Sequence, residues 1–229
     1  MTQSIIHAAL IAAGIVAHTG AHGNLIDLGN GTLYDSTRNV TWIQDVRYYS
    51  ADLASGPRIN GLLGVEVANA GGTTHTITGA DIYQVNSAPF FIGATWWGAT
   101  AWSQTLTFAG LSGWRLPTET ELVALIDDGS FFRGIFTHTA FGNNSYLMWT
   151  STEKDVNTAK QIQTVPTGDP DYYVSDTPKQ TDIGAGIQVP WAVHQGNILA
   201  VPEPATGSIL PLGVIAVALI SRRQRGKST

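Results

Sequence analysis

The chain has 229 residues, of which 43% are hydrophobic and 13% are charged, with 25 Gly and no Cys. Charged residues make up about 25% of an average domain, so this composition argues against a coiled coil or a soluble helical bundle. The hydrophobic content argues against a disordered chain. The lack of Cys excludes disulfide scaffolds, thiolate zinc sites, iron–sulfur clusters and Cys nucleophiles.

Charge is distributed unevenly along the chain. Residues 24–200 contain 8 basic and 16 acidic side chains, whereas four of the 12 basic residues lie in the last eight positions. Nucleic-acid binding needs a basic face that replaces the counterions of the phosphate backbone, so the acidic body argues against a nucleic-acid partner. The basic end instead indicates a terminus that is oriented by a membrane.

The first 23 residues have the layout of a secretory signal peptide. Residues 5–17 form an apolar run, and the small residues Ala21 and Gly23 precede an expected cut before Asn24. The run is shorter than the roughly 20 residues that span a bilayer. No Lys or Arg precedes the run, although signal peptides usually begin with positive charge. The alternative interpretation is a buried helix of the domain.

Strands are predicted first in the body of the chain. Residues 25–28 and 32–35 flank a Gly-Asn-Gly turn and read as a hairpin, because Asn-Gly readily adopts positive φ. Residues 40–43 are β-branched and aromatic, which favours a further strand. Residues 56–88 are rich in Gly, Thr, Asn and Ala and are expected to form a long loop or short strands.

Two segments predict short helices. The stronger begins at Thr118, where the Thr caps the N-terminus, Glu121 completes a capping box and Gly129 supplies a stop. The weaker covers residues 97–108, which carry apolar side chains at helical spacing. The acidic residues 127–128 oppose the dipole at the C-terminal end of the first helix and are expected to face solvent.

Three later segments, residues 146–152, 161–165 and 187–193, read as strands. Strands therefore dominate, with one or two short helices inserted. This pattern predicts an α+β class for a single strand-rich domain over residues 24–200, which is long enough to bury one core.

The C-terminal segment combines three features in chain order. They are the motif Val201, Pro202, Glu203 and Pro204, an uncharged stretch over residues 205–220, and a basic tail over residues 221–229 with Arg222, Arg223 and Arg225. The stretch would be about 24 Å long as a helix at 1.5 Å per residue, slightly short for a hydrocarbon core of about 30 Å. The two prolines keep the motif extended, in a shape that a processing enzyme can grip.

This order of parts resembles the PEP-CTERM sorting signal of Gram-negative bacteria over residues 201–225. The resemblance implies recognition by an exosortase-type membrane enzyme that cuts near the motif. It therefore implies export after transient anchoring in the inner membrane by a transmembrane helix, and association with exopolysaccharide at the outer surface or in the extracellular matrix. A plain single-span anchor is the alternative.

A second resemblance concerns the body of the chain. Its blocks are Tyr34-Asp35 with residues 39–45, residues 113–118 with Glu121-Leu122, and residues 148–153 with residues 191–193. In this order they resemble the Lcl C-terminal domain family, whose function is unknown. The resemblance covers roughly residues 27–200 and implies a C-type lectin-like fold. Some members bind sulfated polysaccharides, but the acidic body and His194, where the family usually has Arg, argue against such a ligand here.

Read from the residues alone, these blocks are structural. The signature residues are Trp42, Trp114, Arg115, Leu116, Pro117, Trp149, Ser151 and Trp191. Each Trp can bury about 150–250 Å² and is expected in the core. Arg115 is expected to pair with a buried carboxylate or to bond carbonyl groups.

The sequence offers no catalytic site. The stretch Trp-Arg-Leu-Pro-Thr also occurs in the formylglycine-generating enzyme family, whose oxidase chemistry needs the Cys residues that this chain lacks. His75, His138 and His194 are the only His residues of the body, they lack metal-binding spacing, and no Gly-x-Ser-x-Gly elbow accompanies them. We therefore predict no enzyme, no metal and no cofactor.

The adjacent residues Trp96 and Trp97 are the best candidates for contact with a glycan. Neighbours on a strand point to opposite faces, so one of the two is expected in the core.

Together these observations predict an exported, exosortase-processed surface or extracellular protein. We expect a non-enzymatic binding or structural module whose partners are the processing enzyme and surface polysaccharide. Two alternatives stay open. One is a secreted carbohydrate-active enzyme on a lectin-like scaffold, which needs two carboxylates about 5–10 Å apart. The other is a permanently membrane-anchored periplasmic protein.

Overall fold

Short strands and short helices alternate along the chain, which is described here by a computed structural model. The described residues are 25–54, 56–85, 91–132, 136, 146–164, 172–180 and 187–199. The predicted signal peptide, the predicted sorting motif, the uncharged stretch and the basic tail all lie outside these residues. Within the described ranges, no helix is long and apolar enough to cross a membrane.

The described helices are α1 (Tyr48–Ala54), α2 (Pro57–Leu62), α3 (Trp96–Thr105) and α4 (Glu119–Asp127), with single 3-10 turns at Gly79–Asp81 and Ser130–Phe132. The predicted helices α3 and α4 are therefore confirmed, but the expected number of one or two is wrong. Helices α1 and α2 are too short to show a helical period in the sequence. They are held by tertiary burial of Tyr49, Leu53 and Leu62.

The described strands are β1 (Leu25–Asp27), β2 (Thr32–Asp35), β3 (Val40–Ile43), β4 (Glu66–Ala68), β5 (Thr74–Thr76), β6 (Ile82–Val85), β7 (Phe91–Ala94), β8 (Tyr146–Glu153), β9 (Thr158–Thr164), β10 (Tyr172–Pro178), β11 (Ile187–Gln188) and β12 (Val193–Gln195). Strands β1 and β2 form the predicted hairpin, in which Ile26 lies opposite Tyr34. Its turn places Gly29 and Gly31 at φ 73° and 81°, values that glycine adopts without strain.

Two four-stranded sheets dominate the architecture. One has the antiparallel order β1-β2-β3-β12, and the other has the order β10-β9-β8-β11, in which only β11 runs parallel to its neighbour. The pairs β4-β5 and β6-β7 form separate ribbons. The described part is thus a strand-rich α+β structure.

The single strand that was predicted over residues 187–193 is wrong. Strand β11 pairs with β8, whereas β12 pairs with β3 in the other sheet. Pro190 lies between them, and because proline has no N–H to donate, it interrupts a strand.

The predicted core tryptophans are buried. Trp42, Trp114, Trp149 and Trp191 are each at most 2% exposed. The rings of Trp42 and Trp191 lie 4.6 Å apart between centroids, and Nε1 of Trp191 donates to the carbonyl oxygen of Ile43 at 2.8 Å. The burial of these four rings confirms the structural interpretation of these residues.

The signature blocks meet in space around the start of α4. Arg115 binds Glu121 through two hydrogen bonds of 2.6 and 2.8 Å, which confirms the expected carboxylate partner. The backbone N–H of Arg115 donates to the carbonyl oxygen of Val193, and that of Ser151 donates to Pro117. Leu116 and Pro117 are buried between these contacts.

The predicted capping box of α4 is also confirmed. Thr118 accepts from the backbone N–H of Glu121, and the Glu121 carboxylate accepts from that of Thr118 at 2.8 Å. Burial alone would raise the pKa of Glu121, but hydrogen bonds from Arg115 and Thr118 outweigh it and lower that pKa.

The end of α4 differs from expectation at Asp128. Its side chain is only 14% exposed and pairs with Nη2 of Arg38 at 2.6 Å. The same Nη2 donates to the carbonyl oxygen of Ala124 in the last turn of α4. A cation therefore offsets the helix dipole at this end, whereas Asp127 is exposed as predicted.

Candidate binding site

A cleft of about 290 Å³ opens where β5, the end of β10 and the loop between β8 and β9 come together. Its rim carries the exposed residues Thr73, Thr74, Asn157 and Gln180, and deeper in the cleft lie His75, Trp97 and Lys179. Among the described residues, none that lines this cleft is Asp or Glu. The lining therefore offers hydroxyl, amide and imidazole groups to a ligand.

The structure places Trp96 and Trp97 in the first turn of α3, so the expected strand with one residue on each face is wrong. Both side chains are buried, with exposed fractions of 3% and 5%. Nε1 of Trp96 donates to the carbonyl oxygen of Thr150 at 2.9 Å. Glycan contact stays a prediction, and it now concerns Trp97, because Trp96 does not line this cleft.

Trp97 forms a wall of the cleft and does not present an open face for stacking. The His75 ring stacks on it with centroids 5.0 Å apart and an angle of 24° between the planes. Nζ of Lys179 lies 5.2 Å from the centroid of the Trp97 ring. The indole of Trp97 thus contacts both an imidazole ring and an ammonium group, and the cation–π contact stabilises the ammonium.

Lys179 is a buried cation whose donors are all used. Its side chain is 1% exposed, and Nζ donates to the Glu153 carboxylate and to the carbonyl oxygens of Asp155 and Val156, both at 3.1 Å. An ammonium group has three N–H donors, so none is left for a ligand. Lys179 therefore ties the loop after β8 to the end of β10.

The burial of Lys179 could not be predicted from the sequence. Lysine is almost never fully buried unless it is paired, and no spacing connects Lys179 to Glu153, which lies 26 positions earlier.

The imidazole of His75 is oriented by a hydrogen bond to a buried carboxylate. Its Nε2 lies 3.0 Å from both carboxylate oxygens of Asp81, which is 1% exposed. Asp81 also accepts from the hydroxyl groups of Thr95 at 2.9 Å and Thr78 at 3.0 Å. Burial alone would raise the pKa of Asp81, but these hydrogen bonds, that from His75 foremost, lower it. The carboxylate is therefore ionised at neutral pH.

A local signal for this arrangement exists in the sequence. Thr78 and Asp81 form a capping box around the 3-10 turn, with the Thr-x-x-acid spacing of such boxes. The equivalent box at α4 was predicted from the sequence, whereas this one was not. The pairing of Asp81 with His75 on β5 has no sequence signature.

His194 does not line this cleft. His194 lies against Trp114, with ring centroids 5.5 Å apart, and His138 falls outside the described residues. Within the described ranges, no group of three or more His, Asp or Glu could hold a metal ion.

The two buried charged groups of the site, Lys179 and Asp81, are each about 1% exposed and are held by hydrogen bonds. The ammonium of Lys179 faces Glu153, and the carboxylate of Asp81 faces His75. The surface of the cleft therefore suits a neutral polar ligand that exchanges hydrogen bonds with hydroxyl and amide groups.

Known proteins give no guide to the function of this site. No family model, no curated protein and no solved structure matches this chain.

Proposed function

We propose that this protein is an exported module that binds a neutral surface polysaccharide without chemically altering it. Delivery rests on the tail, whose Pro-Glu-Pro motif, uncharged stretch and basic end resemble a PEP-CTERM signal. An exosortase-type enzyme is the proposed processing partner. The proposed location is the outer surface or the extracellular matrix, after a transient stay in the inner membrane.

The proposed scaffold is a C-type lectin-like domain of the Lcl C-terminal kind. Support comes from the signature blocks, which are far apart in sequence and meet around Trp42, Arg115 and Ser151. Their side chains serve the core and the start of α4, as residues of a structural signature would.

The observation that carries the binding proposal is the neutral lining of the cleft. Sugar hydroxyl groups both donate and accept hydrogen bonds, and the amides of Asn157 and Gln180 can meet either need. A highly anionic polymer would instead meet an acidic body without a free cation in this lining.

Processing is tested by mass spectrometry of the mature C-terminus, in cells with and without the exosortase-type enzyme. We expect the basic tail, residues 221–229, to be missing from the mature protein only when the enzyme is present. An intact tail in both strains would overturn the processing proposal and favour a permanent membrane anchor.

Binding is tested with the secreted protein on an array of neutral and sulfated polysaccharides. We expect retention of neutral polymers, no new reducing ends, and weaker binding by the rim variants Asn157→Ala and Gln180→Ala. The control is Tyr173→Ser, which changes a side chain that is 65% exposed on β10 and does not line the cleft. Release of reducing ends would favour the carbohydrate-active enzyme, and a preference for sulfated polymers would overturn the proposal.

A further inference from the structure

The proton position on His75 follows from its partner. An ionised carboxylate can only accept hydrogen bonds, and both oxygens of Asp81 lie 3.0 Å from Nε2 of His75. Nε2 therefore carries a proton, and in the neutral imidazole the lone pair is on Nδ1. The hydrogen bond from Nε2 to the carboxylate thus fixes the tautomer and leaves Nδ1 as an acceptor.

Nδ1 of His75 faces the side of the cleft formed by Gln180. The amide Nε2 of Gln180 lies 3.4 Å from Nδ1, which is long for a hydrogen bond to nitrogen. Gln180 is exposed at the rim, so a ligand hydroxyl can replace this weak contact with a shorter one.

We propose that Nδ1 of His75 is the acceptor that receives a hydroxyl hydrogen of the bound glycan, and that a second proton on His75 closes the site. This inference rests on the proposed function. The acceptor at Nδ1 restricts the class of ligand to neutral polymers that have an accessible hydroxyl donor. It also makes binding dependent on pH, because a second proton occupies the lone pair of Nδ1.

The closing step follows from the neighbours of Nδ1. Protonated His75 presents Nδ1–H, and Gln180 can turn its amide so that Oε1 accepts from it. A hydrogen bond with a charged donor is roughly twice as strong as a neutral one, so this internal contact competes with the glycan. The ligand's own hydroxyl then loses its acceptor.

Few charged groups face His75 from the elements around it. Asp81 lies beneath the imidazole, and Lys179 lies beside the same Trp97 ring with its charge bound by Glu153. On the neighbouring strand β4, Val67 is the residue opposite His75, and the only charged residue of that strand is Glu66, opposite Thr76. Of the groups named here, only His75 would therefore change its charge when it is protonated.

The test uses the intact mature protein and calorimetric titration with dextran, pullulan and laminarin as neutral probes. We expect about tenfold weaker binding at pH 5 than at pH 8, the loss of roughly one hydrogen bond. His75→Gln keeps a neutral acceptor and should bind with little dependence on pH. His75→Phe keeps a flat ring without an acceptor and should bind weakly at both pH values.

A second measurement does not need the ligand. Nitrogen-15 NMR of the imidazole should show the proton of neutral His75 on Nε2. A proton on Nδ1, or equal binding by wild type at pH 5 and pH 8, would overturn this inference and leave the proposed function standing. Failure of the wild-type protein to bind any neutral polymer at pH 8 would overturn the proposed function itself.

Discussion

The α-carbon of Gly98 packs directly against the carbonyl group of Asp81. A methyl group at Gly98 would overlap the carbonyl oxygen of Asp81 and lie 3.1 Å from its carbonyl carbon. Backbone atoms cannot move aside as a flexible side chain does. The close approach of α3 to the turn that carries Asp81 therefore depends on glycine at this position.

Replacing Gly98 by Ala should destabilise the protein although alanine favours helices. We expect a loss of about 2–3 kcal/mol in the free energy of unfolding, typical of overpacking against a rigid neighbour. Urea denaturation measures it. The matched control is Gly61→Ala in α2, where the new methyl group meets nothing within 4 Å. That change should stabilise by about 0.5–1 kcal/mol, and equal effects at both sites would contradict the packing argument.

Lys179→Met should be strongly destabilising. The change removes the ammonium and takes one donor each from the Glu153 carboxylate and from the carbonyl oxygens of Asp155 and Val156. Breaking a buried pair from one side costs about 3–5 kcal/mol, and a shift of that size is visible in chemical denaturation.

The control for this change lies in the loop between β8 and β9, which Lys179 binds. Lys154 pairs with Asp176 at the surface, and its side chain is 53% exposed. Lys154→Met should leave the denaturation midpoint almost unchanged, because exposed ion pairs add little stability. If both variants behaved alike, the buried charge of Lys179 would not be the cause.

Local signals of the sequence predicted the elements that local interactions create. The hairpin at Gly29 and Gly31 and the capping box at Thr118 and Glu121 depend on residues a few positions apart. The core position of Trp42 followed from its size and its strand.

Long-range pairing explains what the sequence could not predict. The contacts of Lys179 with Glu153 and of His75 with Asp81 depend on how separate elements are placed together. The two helices α1 and α2 form for the same reason, since their stability comes from tertiary burial. Of the cleft, only Trp97 was singled out from the sequence as a candidate for ligand contact, because the contacts that build the cleft join separate elements.

Asp128→Asn should destabilise the end of α4, whereas Asp127→Asn should not. Asp128 pairs with Arg38 and accepts from the backbone N–H of Ser130 at 2.8 Å, but Asp127 is exposed. Hydrogen bonds to charged groups contribute about 1.5–3 kcal/mol, and Asn retains one acceptor. We therefore expect a loss of about 1–2 kcal/mol at pH 7 for the first change only.

The effect of Asp128 should fade in acid. Burial alone would raise the pKa of Asp128, but hydrogen bonds from Ser130 and Arg38 lower it. A carboxylate with a lowered pKa stabilises the fold above its unfolded value near 4, and this stabilisation is lost as the pH falls through the folded pKa. Thermal melts of wild type and Asp128→Asn should converge below that pH. If the difference in melting temperature between the two proteins did not change with pH, the charge of Asp128 would not be the cause of the destabilisation.

Alkaline conditions should weaken the fold through Tyr146. Burial raises the pKa of this phenol from 10.0 to about 12. Below pH 10 the phenol is neutral in the folded and the unfolded state, and its full contribution to the free energy of unfolding is present. This contribution is lost as the pH rises from 10 to about 12. The loss amounts to about 2–3 kcal/mol. Urea denaturation at pH 9 and pH 11 should show a smaller loss for Tyr146→Phe than for wild type, and equal losses would contradict this assignment.

Strand β12 completes the first sheet from the far end of the domain. Val193 lies opposite Trp42, and His194 lies opposite Thr41. A nascent chain that emerges from its N-terminus first cannot close this sheet until residues 193–195 have been made. Until then, β3 has an open edge beside buried apolar side chains, a template for wrong pairing. Such distant pairing also slows folding. The closing of this sheet is therefore a late step in the folding of the newly made chain.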